Sequence, residues 1–255
     1  MRGIKDKVII VAGGGSGIGA ATARRLAEEG AKVVVGDINA DGASAVTDAI
    51  RAAGGRATAQ VFDITEDESC ADLVATAVKA YGQVNGLFNV AADTSQNTLG
   101  RDTTVVDVPL EVWRRSLEVN LTGYFLTARH TIPALLAAGG GAIVNTISGL
   151  VLYGDRNRVA YGASKSGILA LSKHIALGWG KENVRCNVVA PGLTLTENSQ
   201  ELNSPQYRDE VLPRLCSPRF GRPEDLASAV TFLLSDEAEW INGHVLPVNG
   251  GRGLG

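Results

Sequence analysis

The stretch Val8-Ile9-Ile10-Val11-Ala12-Gly13-Gly14-Gly15-Ser16-Gly17-Ile18-Gly19 decides the fold. Four apolar, β-favouring residues run without a polar break, glycines crowd the positions after them, and a segment of helical period, Ile18–Glu29, follows. So short an unbroken apolar run reads as a strand buried on both faces. Glycine at 13, 17 and 19 allows, in turn, a tight bend, close approach of backbone to a pyrophosphate, and close packing of helix on strand. The helix start then presents free N–H groups to an anion. A glycine loop by itself is equally a turn or a linker; its place between a strand and a helix is what makes it a nucleotide site.

The same rhythm continues outward. Apolar runs at Lys32–Val35, Ala57–Phe62, Leu87–Val90, Ala142–Ile147 and Val184–Val189 alternate with helical segments Asp41–Ala53, Glu66–Tyr81, Leu110–Ala138 and Val159–Gly180. Val245–Val248, after a helix at Pro223–Leu234, supplies a seventh strand. Short apolar strands separated by helices pair in parallel and carry helices on both faces, so the chain is expected to be a doubly wound α/β sheet in three αβα layers. No linker, repeat or low-complexity tract divides residues 1–255, which read as a single domain. Two segments break the rhythm: the polar Asp93–Val108 and the stretch 193–220. Both follow a strand's carboxyl end, where ligands bind in such sheets, so they are expected to form the rim and the lid of a pocket.

Composition narrows the classes further. A formal charge of −3 removes the electrostatic footprint of a nucleic-acid binder. No run of some 18 apolar residues is present to span a membrane, and the N-terminus lacks a signal-peptide core. Cys70, Cys186 and Cys216 are odd in number and contain no C-x-x-C, which points to free thiols and a cytoplasmic setting. His130, His174 and His244 are far apart, so no metal site is expected. No G-x-S-x-G supports a hydrolase. Trp113, Trp179 and Trp240 read as packing residues.

Specific chemistry is suggested at four further places. Asp37 ends the second strand, where a carboxylate can accept both ribose hydroxyls of an adenosine and would repel a 2′-phosphate; the cofactor expected is NAD(H). Tyr161 and Lys165 stand four residues apart, on one helical face, where an ammonium would lower the phenol's pKa toward use as an acid or base. A surface helical pair would have the same spacing. Ser148, at the end of a strand, could donate a hydrogen bond to a substrate oxygen, and Asn120 is an amide inside a helix, where propensity gives it no advantage.

Taken together, Gly13/Gly17/Gly19, Asp63 after the third strand, Asn89–Ala92 after the fourth, Asn120, Ser148, Tyr161, Lys165 and Pro191-Gly192 make the chain resemble the classical short-chain dehydrogenase/reductases over nearly its whole length. The resemblance implies a Rossmann-type fold of seven parallel strands and a homotetramer built on the helices that carry Asn120 and Tyr161. It implies Tyr161 as general acid/base in hydride transfer between a secondary alcohol or its ketone and the nicotinamide. Lys165 would lower the Tyr161 pKa and bind the nicotinamide ribose, Ser148 would hold the reacting oxygen, and Asn120 would anchor a water relay toward Lys165. Around the cofactor it implies Gly13, Ser16, Gly17, Ile18, Gly19 and Asp37, with Asp63 and Ile64 flanking the adenine. Asn89 and Ala91 would line the adenosine side, and Thr194 and Thr196, after Pro191 and Gly192, would hold the carboxamide and phosphates.

The chain departs from the family pattern at Ala12, where a Thr hydroxyl commonly ties the glycine loop to the strand after it, and at Val90 and Ala92, where an amide and a glycine are usual. Two other readings share the pattern: a 3-oxoacyl-thioester reductase using NAD(P)H, disfavoured by Asp37, and a dinucleotide-binding sensor without turnover. Leu150, Val151, Leu152, Tyr153, Leu193 and Leu195 suggest a mainly apolar substrate pocket suited to cyclic or lipophilic alcohols. Arg156 and Arg158, between Ser148 and Tyr161, are either a solvated loop or a contact for an acidic substrate.

Overall fold

The computed structural model describes residues 1–196 and 204–253. Its strands are β1 (Val8–Ala12), β2 (Lys32–Asp37), β3 (Arg56–Val61), β4 (Gly86–Asn89), β5 (Gly141–Thr146), β6 (Val184–Pro191) and β7 (Val245–Val248). They form one seven-stranded sheet in the order β3-β2-β1-β4-β5-β6-β7, parallel at every pairing. The helices are α1 (Gly17–Glu28), α2 (Ala40–Ala52), α3 (Asp67–Tyr81), α4 (Leu110–Leu117), α5 (Gly123–Ala137), the short α6 (Leu150–Tyr153), α7 (Val159–Trp179), α8 (Pro205–Val211) and α9 (Pro223–Leu234).

Side chains alternate across each strand, and that alternation builds two cores. Ile10, Val34 and Leu87 face one layer, where Leu73 of α3, Leu135 of α5 and Ile168 of α7 close over them. Ile9, Val33 and Phe88 face the other, against Leu26 of α1, Ile50 of α2 and Val230 of α9. Apolar residues on both faces are what the unbroken runs required, and burying each of these side chains contributes about 1.5–3 kcal/mol.

Chain order reverses between β1 and β4: the chain winds from β1 to β3 in one direction and from β4 to β7 in the other. The crevice outside the carboxyl ends of β1 and β4 is the binding place in this class of sheet. Thr194, just after β6, makes a parallel bridge to Gly221, which ties the two ends of the stretch 193–220 together. Within that region α8 begins at Pro205 with Ser204 accepting a hydrogen bond from the Tyr207 N–H; residues 197–203 lie outside the described residues.

Two expectations need correcting. The helix read as Leu110–Ala138 is interrupted by a π turn at Glu118–Thr122. One extra residue in a turn changes the apolar period too little to be seen over five positions, and such bulges cluster at functional sites. Trp240 does not pack: it is 96% exposed.

Candidate active site

The glycine loop is built from backbone. Gly13 has φ +94°, and a Cβ there would lie 2.5 Å from the Ala91 nitrogen. A Cβ on Gly19 would overlap the Gly13 carbonyl oxygen. The N–H groups of Gly13 and Gly14 donate to Gly36 O at 2.8 and 3.0 Å, while Ala12 O accepts from the N–H groups of Val90 and Ala91 at 2.9 Å each. Peptide bonds therefore make the tie to β4, although Ala12 carries no hydroxyl.

Ser16 precedes α1 without capping it, so the first-turn N–H groups have no side-chain acceptor and face the crevice with their partial positive charge. Across from them, Thr196 is 3.2 Å from where a Gly17 Cβ would stand. The cleft so formed has a volume of about 800 Å³ and is lined by Gly13, Ser16, Gly17, Ile18, Gly19, Asp37, Asp63, Ile64, Ala91 and Thr196, with Asp93 and Arg115 at its rim. Asp37 Oδ2 accepts from the Gly15 N–H at 2.8 Å and Oδ1 from the Asn39 N–H at 2.9 Å. A carboxylate has about four acceptor sites, so lone pairs remain for ribose hydroxyls. Uncapped helix N–H groups, a cradle that a Cβ would fill and a carboxylate at the end of β2 together fit a dinucleotide.

The second group of residues gathers at the carboxyl end of β5 from three separate places. Tyr161 and Lys165 come one turn apart on α7, Ser148 follows β5, and Asn120 is buried in the π turn. Lys165, 1% exposed, donates to Thr146 O at 3.1 Å and to the Tyr124 hydroxyl at 3.4 Å. Its Nζ lies 5.7 Å from the Tyr161 ring centre. The Ser148 hydroxyl acts on the Tyr161 phenol as a hydrogen-bonding neighbour. Asp102, in the rim segment, accepts from the N–H groups of Ala160 and Tyr161 at 3.1 and 2.8 Å, satisfying donors of the α7 first turn and fixing the backbone under the phenol.

A family model described as enoyl-(acyl carrier protein) reductase matches residues 12–252. The chain belongs to the short-chain dehydrogenase/reductase family. It is 35% identical over 251 residues to a 7α-hydroxysteroid dehydrogenase of Bacteroides fragilis, covering 98% of this chain and 96% of that one. It is 39% identical over 245 residues to a cyclohexanol dehydrogenase of Acinetobacter sp. strain SE19, covering 96% and 94%. A solved structure of 7α-hydroxysteroid dehydrogenase complexed with NADH and 7-oxo glycochenodeoxycholic acid superposes with a TM-score of 0.92 at 32% identity, covering 100% of this chain and 97% of that one. As a member of the family, this dehydrogenase/reductase moves hydride between an alcohol or ketone and NAD.

The electrostatics of the dehydrogenase/reductase differ from the expectation in one respect. Burial drives the Lys165 ammonium down to about 7 from its ordinary 10.5. Burial likewise raises the Tyr161 phenol; the groups that pull it back are Arg158 and Ser148, while Tyr153 pushes it up further. A lysine so desolvated is only partly charged near neutrality, which weakens any pull it has on the phenol. In the chain alone, burial outweighs the attraction that the Tyr161/Lys165 spacing suggested.

Four of the expected residues, Asn89, Asn120, Pro191 and Gly192, make structural contacts of their own. Asn89 is fully buried, and its side chain donates to Asn145, which in turn donates to Ser172, each at 2.9 Å; it braces the sheet against α7 instead of lining the cleft. The Asn120 side chain accepts from the Asp93 N–H at 3.1 Å and donates to Ser164 Oγ at 3.4 Å. Pro191 and Gly192 lie beyond the glycine-loop cleft: Pro191 O accepts from the Gly149 N–H, holding the Ser148 loop to β6, and the Gly192 N–H donates to Val248 O, each at 3.0 Å. Thr194 Oγ1 donates to Gly192 O at 3.2 Å.

Sequence reasoning missed Tyr124, Asp102 and the Asp93–Arg115 pair, 3.3 Å apart at the cleft rim. The polar Asp93–Val108 tract marked the region of two of them; nothing in the local pattern sets Tyr124 apart within the helical segment Leu110–Ala138.

Proposed function

We propose that Tyr161 is the general acid/base of a secondary-alcohol dehydrogenase, with Lys165, Ser148 and Asn120 as its supporting set and Gly13, Ser16–Gly19, Asp37, Asp63, Ile64, Ala91, Thr194 and Thr196 around the NAD. Bound NAD supplies the hydride acceptor. Tyr161, as phenolate, takes the hydroxyl proton of the alcohol in oxidation and returns it to the carbonyl in reduction. Ser148 donates to the reacting oxygen and holds it against Tyr161. Lys165, once charged, favours the phenolate. Asn120 fixes the loop after β4 by accepting from the Asp93 N–H.

The observation that carries this reading is the convergence of Ser148, Tyr161 and Lys165 beside a cleft that ends at Asp37. That carboxylate also favours NAD over a 2′-phosphorylated cofactor, and with it a dehydrogenase over a thioester reductase. The substrate side is apolar: Leu152 and Tyr153 of α6 are 50% and 41% exposed next to Ser148, and Leu150 is 2.9 Å from where a Gly162 Cβ would lie, just after Tyr161. A lipophilic ring alcohol suits such walls, with residues 193–220 as the lid. Exposed Phe125 on α5 and Leu177 on α7 support a homotetramer through those helices. The buried, unpaired thiols of Cys70 and Cys186 accord with a cytoplasmic setting, and among the described residues no helix is long and apolar enough to cross a membrane.

The test is a panel of cyclic secondary alcohols assayed for NAD⁺ reduction with wild type and Tyr161→Phe. Turnover in wild type, reduced about 10²–10⁴-fold in the variant with NADH binding retained, is the expected result. Undiminished turnover in Tyr161→Phe overturns the assignment.

A further inference from the structure

Tyr124 is fully buried on α5, in the first turn after the π turn that carries Asn120. Its ring centre lies 4.9 Å from Lys165 Nζ, closer than that of Tyr161 at 5.7 Å. Its hydroxyl accepts from Nζ at 3.4 Å. The third group at this ammonium is the Thr146 carbonyl of β5, at 3.1 Å. Tyr161 from its own helix, Tyr124 from α5 and Thr146 from β5 thus face Lys165, and no carboxylate among the described residues acts on it. The buried Thr146 hydroxyl is also near enough to Tyr124 to favour its phenolate, against the burial that raises it.

We propose that Tyr124 is a positioning residue for the reaction, seating the Lys165 ammonium between its ring face and hydroxyl so that the charge stays behind Tyr161. An ammonium removed from water and given no carboxylate keeps its charge only through dipoles and π-faces aimed at it, and a desolvated cation over an aromatic ring is among the stronger of these. A hydrogen bond to a charged group adds to it. The fixed seat also decides where Nζ sits relative to Tyr161: a lysine with four rotatable bonds would otherwise sample several positions in this space. An aliphatic residue at position 124 would fill the core equally well and supply neither interaction.

The inference rests on Tyr161 and Lys165 being the catalytic pair, and the experiment separates the two. Tyr124→Phe keeps the ring and removes the hydroxyl; Tyr124→Met removes both while filling the volume flexibly. In Tyr124→Phe, kcat for alcohol oxidation at pH 7 falls about tenfold with the KM for the alcohol unchanged, and the acid limb of kcat moves up by about one pH unit. Tyr124→Met moves it further in the same direction. A second readout needs neither cofactor nor turnover: with Lys165 easier to neutralise, the rise of melting temperature with pH in the cofactor-free protein begins at lower pH in both variants than in wild type. An unmoved acid limb together with an unmoved melting profile overturns the proposal, even where the variants melt a few degrees lower, since a purely structural tyrosine would do only that. Turnover persisting in Tyr161→Phe would instead sink the catalytic assignment, and the melting profiles would still decide the seat of Lys165. Should neither variant at position 124 fold, a nuclear Overhauser contact between the Lys165 ε-protons and the Tyr124 ring in wild type is expected, and its absence overturns the proposal.

Discussion

The glycine-loop cleft and the Tyr161 cluster lie at carboxyl ends of the same sheet and are made of different material. The cleft is shaped by main chain: Gly13 and Gly19 are there because a Cβ would meet Ala91 N or Gly13 O, and the loop is tied by peptide bonds to Gly36 and from Val90 and Ala91. The cluster is shaped by side chains from β5, the π turn, α5 and α7, and its three titratable members, Tyr124, Tyr161 and Lys165, are all displaced by burial in the direction that disfavours charge. A binding surface of backbone tolerates side-chain replacement around it, as at Ala12, but not the addition of one atom within it. A proton-transfer centre of side chains, as proposed around Tyr161, would depend on residues that touch no reactant, such as Asp102 and Tyr124.

That contrast can be broken at several points. Gly19→Ala should have the largest effect: the new methyl overlaps the Gly13 carbonyl, so an overpacking cost of about 1–3 kcal/mol falls on the loop, and NADH fluorescence titration should register binding weakened by one or two orders of magnitude. Binding close to wild type would mean that the loop is plastic and the contrast false.

Asp102→Ala comes next. It leaves the Ala160 and Tyr161 N–H groups without their acceptor, which should lower stability by about 1–2 kcal/mol, the scale of a lost helix cap, and lower kcat while NADH binding is spared. Loss of binding instead would show that the two regions are not separable. Asp37→Ala is expected to reduce the preference for NAD⁺ over NADP⁺ about tenfold, read as a ratio of kcat/KM values, and to leave the ranking of alcohols unchanged. A reordered alcohol panel would place Asp37 in the wrong half.

The smallest expected effect concerns stability. Lys165 has a folded-state pKa near 7, below its ordinary 10.5, so between those values the unfolded chain binds more protons than the folded one. Stability from this group therefore rises as pH increases through 7, and is least below it. Melting temperatures of wild type from pH 6 to 8.5 should climb relative to those of Lys165→Met, which should be inactive and more stable at pH 6. Parallel curves would mean that the ammonium is not desolvated.

Much of the fold was legible because unbroken apolar runs and glycine punctuation leave little choice: β1, β2 and β7 begin at the residues where the apolar runs begin. The π turn was not, since Asn120 and Leu121 keep an acceptable helical pattern. It is the position of Leu121 against Gly167, where a Cβ would lie 2.6 Å from Leu121 Cδ2, that reveals a tight seam between the π turn and α7. Residue types at Tyr161, Lys165 and Ser148 could be read, but the balance of burial and charge among them could not, since it is set by what surrounds them in space. Asp102 stands 59 residues before Tyr161, and no local pattern connects the two. Asn89 illustrates the reverse: a polar residue at a strand end next to the cleft, whose amide is committed to Asn145 inside the core.

The most direct test is the pH dependence of kcat/KM for NAD⁺-linked oxidation of a cyclic secondary alcohol by the wild-type protein. A phenol raised by burial must lose its proton before it can take one from the alcohol, so the rate should rise tenfold per pH unit along an acid limb to a plateau. A profile flat from pH 6 to 10 would contradict Tyr161 as the base.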